Sequence, residues 1–298
     1  MKNHLGIDHP LVAVRDMDKV AADYERLGFF INPRHHHPWG TDNHLLMFAD
    51  SFIELISVYD SSLLDMSNDQ GFAFGRFIDN SIRRREGIAM VALHSEDARA
   101  DHALMEQRQV ENDGIVDFRR IAHRPDGSEE EAVVSLVMLI NQTQPPMSHF
   151  LCHQHKPHLV WVKEWMQHPN GADGITCVTY VAEEPESLWL RFVGMYGEQA
   201  VSRHAWGLNI ATDRGHFEVI APSFVHQRFA GIDLSLQTSD LPTGVAIRVS
   251  SKDIPGAREL LNANQVMHVL TDEGGLRIGP QYAGNTIIEI YPTAEDAP

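Results

Sequence analysis

The chain has few of the features that mark membrane, disulfide-rich or nucleic-acid-binding proteins. No stretch of its 298 residues approaches the roughly 20 consecutive apolar residues that span a bilayer. Its two cysteines, Cys152 and Cys177, are too few for a disulfide framework and lack a Cys-x-x-Cys spacing. Acidic residues outnumber basic ones by 41 to 24, and the net charge of −17 disfavours contact with phosphate backbones. We therefore expect no nucleic-acid and no membrane partner.

The start of the sequence also lacks the apolar run of a signal peptide, which predicts a cytoplasmic protein. Two common enzyme signatures are missing as well. There is no Gly-x-Ser-x-Gly nucleophile elbow, and the glycines at 194 and 197 follow a predicted helix rather than a strand, which is the wrong context for a dinucleotide fingerprint. Histidine is abundant, at 18 residues, and neutral imidazole is a common metal ligand.

One pattern of elements recurs four times along the chain. The first copy opens with a strand at 6–14, and Asp16 then caps a helix that Gly28 ends. Three strands near 29–34, 44–48 and 52–58 complete a β-α-β-β-β module. Later copies open at Gly87, Gly174 and Gly244, with helices predicted at 96–109, 185–193 and 255–263. Three closing strands carry a glutamate at the same place, namely Glu54, Glu218 and Glu289.

Several segments resemble a known superfamily. The opening Ile-Asp-His at 7–9, the Leu-Gly-Phe at 27–29 and the Phe-Ile-Glu-Leu-Ile at 52–56 look like the first module of vicinal-oxygen-chelate proteins. The runs at 37–44, 150–157 and 168–172 are similar to its glyoxalase-like domain branch. This resemblance implies an α+β fold in which four βαβββ modules pair into two cup-like mixed sheets. We expect an N-terminal domain at 1–160 and a C-terminal domain at 161–298.

The resemblance also implies a metal site on first and closing strands, and the matching residues are His9 and Glu54. Independently of the family, a carboxylate inside Phe-Ile-Glu-Leu-Ile is costly to bury unless it is paired or bound to a metal. On the closing strand of module two, His153 and His155 share a face, and His155 is the better match for a third ligand. His44 is a ligand, a substrate contact or a general base.

The run of histidines at 35–37 is expected to be mainly loop surface, with His37 the member nearest the cup mouth. The second half has the glutamates Glu218 and Glu289 but carries Thr176 and the Val245-Ala246 pair where the first half has His9. We therefore expect the metal in the first half and a structural or lid role for the second.

A set of two histidines and one carboxylate suits Fe²⁺, Mn²⁺, Zn²⁺, Ni²⁺ or Co²⁺. We predict a metal-dependent enzyme that acts on a small oxygenated substrate by lyase or isomerase chemistry, with Glu54 or His44 moving the proton. Two alternatives stay open, an Fe²⁺-dependent ring-cleaving dioxygenase and a non-catalytic protein that binds a small molecule. A homodimer is also compatible with the sequence.

Overall fold

The computed structural model describes residues 5–69, 71–123, 127–234 and 241–293. Within these residues the chain forms sixteen strands and six α-helices, joined by loops and short 3₁₀ turns. None of the described helices is both long and apolar enough to cross a bilayer. The elements in chain order are β1 Ile7–Ala13, α1 Met17–Arg26, β2 His35–His36, β3 Thr41–Met47, β4 Phe52–Val58, α2 Phe74–Arg84, β5 Gly87–His94, α3 Ala98–Gln107, β6 Ile115–His123, β7 Glu129–Leu139, β8 His149–Gln154, β9 Ala172–Val181, α4 Trp189–Tyr196, β10 Val201–His204, β11 Gly207–Ala211, β12 His216–Ile220, α5 Pro222–Arg228, β13 Thr243–Ser251, α6 Ile254–Ala263, β14 His268–Leu270, β15 Leu276–Ile278 and β16 Ile287–Pro292.

The predicted α+β fold of four modules is confirmed. In every module the first strand pairs in parallel with the closing strand, as β1 does with β4, β5 with β8, β9 with β12 and β13 with β16. Antiparallel pairing of first strands then joins the modules in twos, β1 with β5 and β9 with β13. A single residue pair between β5 and β13, Ile88 with Gly244, makes one continuous mixed sheet of the two cups.

The helix of the first module follows its sequence signals. The side chain of Asp16 accepts a hydrogen bond from the backbone N–H of Lys19, which satisfies a donor in the first turn. Val20 and Tyr24 are buried one helical turn apart and face the core between the sheet and the helices. Gly28 follows the helix with a φ of 84°, a conformation that costs glycine little.

Two features near the first cup differ from the prediction. The segment 29–34 is not a strand, and the short β2 at His35–His36 takes its place and pairs with β3. The helix α2 was not predicted. Its apolar residues Phe74, Ile78 and Ile82 recur every four positions and are buried against the inner face of the first cup. Because α2 links the first two modules, it lies outside the repeated unit that guided the prediction.

A network of charges fills the inner face of the second cup. Glu289 on β16 is fully buried and accepts hydrogen bonds from three guanidinium groups, those of Arg228, Arg248 and Arg277. Burial alone would raise the pKa of Glu289, but the hydrogen bonds and charge of Arg228, with the charges of the other two arginines, lower that pKa to about 2. The carboxylate is therefore charged in the folded protein and anchored to three separate elements.

We expect Glu289→Gln to lower the free energy of unfolding by about 3 kcal/mol at neutral pH, because it leaves buried arginines without their counter-charge. A folded-state pKa of about 2, below the ordinary value of 4.5, gives stability that is present above pH 4.5 and is lost as the pH falls towards 2. Urea unfolding between pH 2.5 and 7 should therefore show the two proteins converging in acid. Glu131→Gln, which removes an exposed partner of Arg119, is the control and should cost less than about 1 kcal/mol. A pH-independent difference would contradict the assignment.

Candidate functional site

The first cup encloses a small cavity between β1, β3, β4, β6, β7, β8 and α2. Including its open mouth the cavity has a volume of about 510 Å³. Its walls are largely aromatic and aliphatic, and a small set of polar side chains interrupts them. The polar and sulfur-containing residues that line the cavity are His9, His37, Asn43, Glu54, Arg120, Cys152 and Gln154. A mostly apolar cavity with a few converging polar groups is typical of a small-molecule site.

His9 and Glu54 lie next to each other in the wall of this cavity. His9 Nε2 is 3.4 Å from Glu54 Oε2, and both side chains are buried. The other ring nitrogen of His9, Nδ1, lies 2.5 Å from Asp8 Oδ1. The imidazole also stacks on Phe52 with 4.0 Å between ring centroids. These contacts fix the ring with Nε2 directed at Glu54, and they form a chain of carboxylate, imidazole and carboxylate.

The two carboxylates control the charge of His9. Burial alone would lower the pKa of His9, but the hydrogen bonds to Asp8 and Glu54 and their negative charges raise it to about 9. For Glu54, burial would raise the pKa, and the interaction with His9 holds it below its ordinary value. The pair is therefore an imidazolium and a carboxylate at neutral pH. A divalent cation that replaced the proton on Nε2 would meet the carboxylate of Glu54 already in place, with the carboxylate of Asp8 at the other ring nitrogen.

Asn43 and His37 complete the polar part of the cavity wall. Asn43 Nδ2 donates a hydrogen bond of 2.6 Å to Glu54 Oε1, while its buried Oδ1 has no partner in the part of the chain that the structure describes. His37 Nε2 is 3.9 Å from Glu54 Oε1, and His37 Nδ1 lies 2.8 Å from Thr41 Oγ1. Burial lowers the pKa of His37 to about 4. His37 is therefore neutral, and it lines the cavity.

The structure places the predicted site residues His44, His153 and His155 outside this group. On β3 the side chains of Asn43 and Leu45 line the cavity, so that His44 points to the other face, where Nδ1 lies 2.6 Å from the carbonyl oxygen of Asn32. The same alternation operates at the end of module two. There Cys152 and Gln154 face the cavity, and the rings of His153 and His155 stack on each other outside it.

The second cup contains a group of donors at the corresponding place. Cys177 Sγ and donor atoms of His216 and Glu218 all lie within 4.8 Å of one another, the one such group among the residues that the structure describes. Strand register explains its position. Leu11 pairs with Glu54 on β4 and Thr179 with Glu218 on β12, so Cys177, rather than Thr176, corresponds to His9.

The charges around this second group oppose a metal. Arg228 Nε donates to Glu218 Oε2 at 3.0 Å, and Thr179 Oγ1 donates to the same oxygen at 2.9 Å. Burial also raises the pKa of the Cys177 thiol, which disfavours the thiolate that a metal needs. The buried carboxylate of Glu54 instead faces an imidazolium proton that can leave, whereas the guanidinium beside Glu218 stays charged.

Some residues of the site were missed from the sequence. Asp8 precedes a predicted ligand, and nothing in the sequence distinguishes it from a solvent-facing neighbour. Asn43 and Arg120 can be assigned to the cavity wall only from strand alternation, because the face on which each side chain lies follows from the register of β3 and β6. The predicted strand near 118–122 held the needed signal for Arg120, since Phe118 and Arg120 share a face.

Comparison with known proteins agrees with this fold. The protein is similar over 97% of its length to a hypothetical protein from Staphylococcus aureus, with a TM-score of 0.66, 14% identity and 100% of that chain covered. A mutant of 4-hydroxymandelate synthase from Streptomyces coelicolor gives a TM-score of 0.59 at 12% identity, over 97% of this chain and 92% of the other. A fusion protein of a xylose isomerase-like TIM barrel with 4-hydroxyphenylpyruvate dioxygenase gives 0.55 at 13% identity, over 97% of this chain and 49% of the other.

At these identities the similarity concerns the fold alone. No curated protein matches the sequence. The family described as the glyoxalase-like domain matches residues 7–193, which include the whole first cup and extend past the predicted boundary at residue 160. The chain therefore belongs to the glyoxalase-like domain family, within the vicinal-oxygen-chelate superfamily.

Proposed function

We propose that the protein is a metal-dependent enzyme that acts on a small oxygenated substrate, with lyase or isomerase chemistry in the first cup. The observation that carries this proposal is the buried pair of His9 and Glu54, whose Nε2 and Oε2 atoms are 3.4 Å apart in the wall of a cavity. Buried ionisable groups of this kind are costly unless they are paired, and they concentrate at functional sites.

In this proposal His9 Nε2 and Glu54 hold the metal. Neutral His37, whose Nε2 lies 3.9 Å from Glu54 Oε1, is the third ligand in place of His155, although the donor atoms of the three residues do not all lie within 4.8 Å of one another. Asp8 is a positioning residue, because a hydrogen bond to Nδ1 selects the His9 tautomer whose Nε2 is free for a metal. Asn43 holds Glu54 Oε1 in the same way. The donor set of two imidazoles and a carboxylate suits the mid-series divalent ions Fe²⁺, Mn²⁺, Zn²⁺, Ni²⁺ and Co²⁺.

A bound divalent metal supplies Lewis-acid polarisation of a substrate carbonyl or enediolate. The residues of the chain supply the rest. Glu54 is the group that moves a proton next to that carbonyl, since His44 lies on the opposite face of β3. The rings of Phe52, Phe74 and Phe150 line the cavity and exclude water from the reacting atoms.

A ring-cleaving dioxygenase is the second candidate. Its support is the composition of the donor set, because two histidines and one carboxylate also form the facial arrangement that non-haem Fe²⁺ oxygenases use. Oxygen uptake that requires Fe²⁺ and disappears in His9→Ala would favour it over the lyase or isomerase. The third possibility, a non-catalytic binding protein, requires that His9→Ala bind its ligand as well as the unaltered protein.

We expect His9→Ala and Glu54→Gln each to weaken binding of a divalent metal at least about tenfold, because each removes one of few ligands. The measurement is equilibrium dialysis of the metal-free protein against Zn²⁺, Mn²⁺, Fe²⁺, Ni²⁺ and Co²⁺, followed by elemental analysis. His155→Ala is the matched control, since that imidazole lies outside the cavity, and it should bind metal like the unaltered protein.

Two results would overturn this site. Full metal content in both His9→Ala and Glu54→Gln would exclude the first cup. Loss of metal in Cys177→Ser, with normal content in His9→Ala, would move the metal to the second cup.

We further expect Asp8→Asn to weaken metal affinity about 10- to 100-fold while His9 and Glu54 stay in place. An asparagine offers no negative charge to His9 Nδ1 and permits the wrong tautomer. The dissociation constant, measured by competition with a chelating dye, reports the effect. Asp117→Asn, an exposed carboxylate on β6, is the control. An unchanged dissociation constant in Asp8→Asn would show that Asp8 has no part in positioning the ligand.

A further inference from the structure

One charged group in the first cup has no part in the metal site. Arg120 on β6 lies on the cavity wall together with Phe118, and it also borders a second, smaller cavity beside Trp165. Within the described part of the chain its guanidinium donates no hydrogen bond and forms no ion pair. A guanidinium offers five N–H donors, and none of those of Arg120 has an acceptor among the described residues.

The surroundings of Arg120 make this unusual. The guanidinium of Arg120 is partly removed from water, and this burial lowers its pKa. The negative charge of Glu54 raises the pKa of Arg120 and so opposes the effect of burial. The carboxylate of Glu54 is itself occupied, because Oε1 accepts from Asn43 and Oε2 faces His9. A half-buried guanidinium without a hydrogen-bonded carboxylate is costly, and an anion that enters the cavity removes that cost.

The other arginine next to Arg120 on β6 has different surroundings, because successive residues of a strand point to opposite faces. Arg119, the adjacent residue, points to the other face, where Nη1 forms an exposed ion pair of 2.8 Å with Glu131 Oε2. Arg119 therefore has an ion-pair partner and an exposed side chain, and Arg120 has neither. The two neighbours form a natural pair of test and control.

We infer that Arg120 binds the carboxylate of the substrate, which makes the substrate a small organic anion such as a 2-oxo or 2-hydroxy acid. A planar guanidinium matches a carboxylate through two parallel hydrogen bonds. With the carboxylate held at Arg120, the neighbouring oxygen of the substrate extends towards His9 and Glu54. The inference rests on the proposed function for the identity of the reacting end, but binding of the anion itself needs only Arg120.

The test uses the complete, metal-free protein, with pyruvate as the anionic probe and pyruvamide as its neutral counterpart of similar shape. Binding is followed by ligand-observed nuclear magnetic resonance. We expect pyruvate to bind at least about tenfold more tightly than pyruvamide, Arg120→Met to lose that preference, and Arg119→Met to keep it. Arg120→Lys, which keeps the charge but not the paired hydrogen bonds, should retain part of the affinity and guards against misfolding of Arg120→Met.

Equal affinity for the two probes, no binding of pyruvate to the unaltered protein, or unchanged affinity in both Arg120 variants would overturn the inference. Since metal is absent from this measurement, its outcome is independent of the metal site. Pyruvate binding that depends on Arg120 in a protein that fails the metal test would refute the proposed enzyme and leave an anion-binding cup.

Discussion

The parallel pairing of the first and last strands decides what each cup contains. It places a closing-strand residue beside a fixed position of the first strand, and the period of two then directs both side chains to the inner face. In the first cup these positions hold His9 and Glu54, and in the third module they hold Cys177 and Glu218. Everything else on the inner face is arranged around the carboxylates that this pairing buries.

The two cups solve the problem of a buried glutamate in different ways. In the second cup, guanidinium groups neutralise Glu218 and Glu289, and a guanidinium keeps its charge at any pH the protein meets. In the first cup, the neutralising group at Glu54 is an imidazolium, whose proton can be exchanged for a metal. The second cup therefore has permanent cations, which stabilise its core. The first cup has a cation that can be removed, which suits a site for chemistry.

The sequence carried enough information for the fold and for two polar residues, His9 and Glu54, that line the first cavity. Repetition of strand, helix and three strands identified the modules, and a glutamate inside an apolar closing strand identified Glu54. The placement of His44 and His155 outside the cavity has one physical cause, since a shift of one residue along a strand moves a side chain to the opposite face. His37 follows the two-residue strand β2, which is too short to show alternation, and Asp8 depends on a contact with its own neighbour.

A purely structural role for the His9 and Glu54 pair is the main competing explanation, and the cavity argues against it. A structural ion pair in a protein core is normally surrounded by packed side chains that satisfy its remaining hydrogen-bonding atoms. Here Asn43 Oδ1 is buried without a partner, and Arg120 lines the same cavity without a hydrogen bond or ion pair among the described residues. A buried acceptor without a donor and a guanidinium without a hydrogen-bonded anion line the same cavity as this carboxylate, and a molecule that enters the cavity would satisfy both.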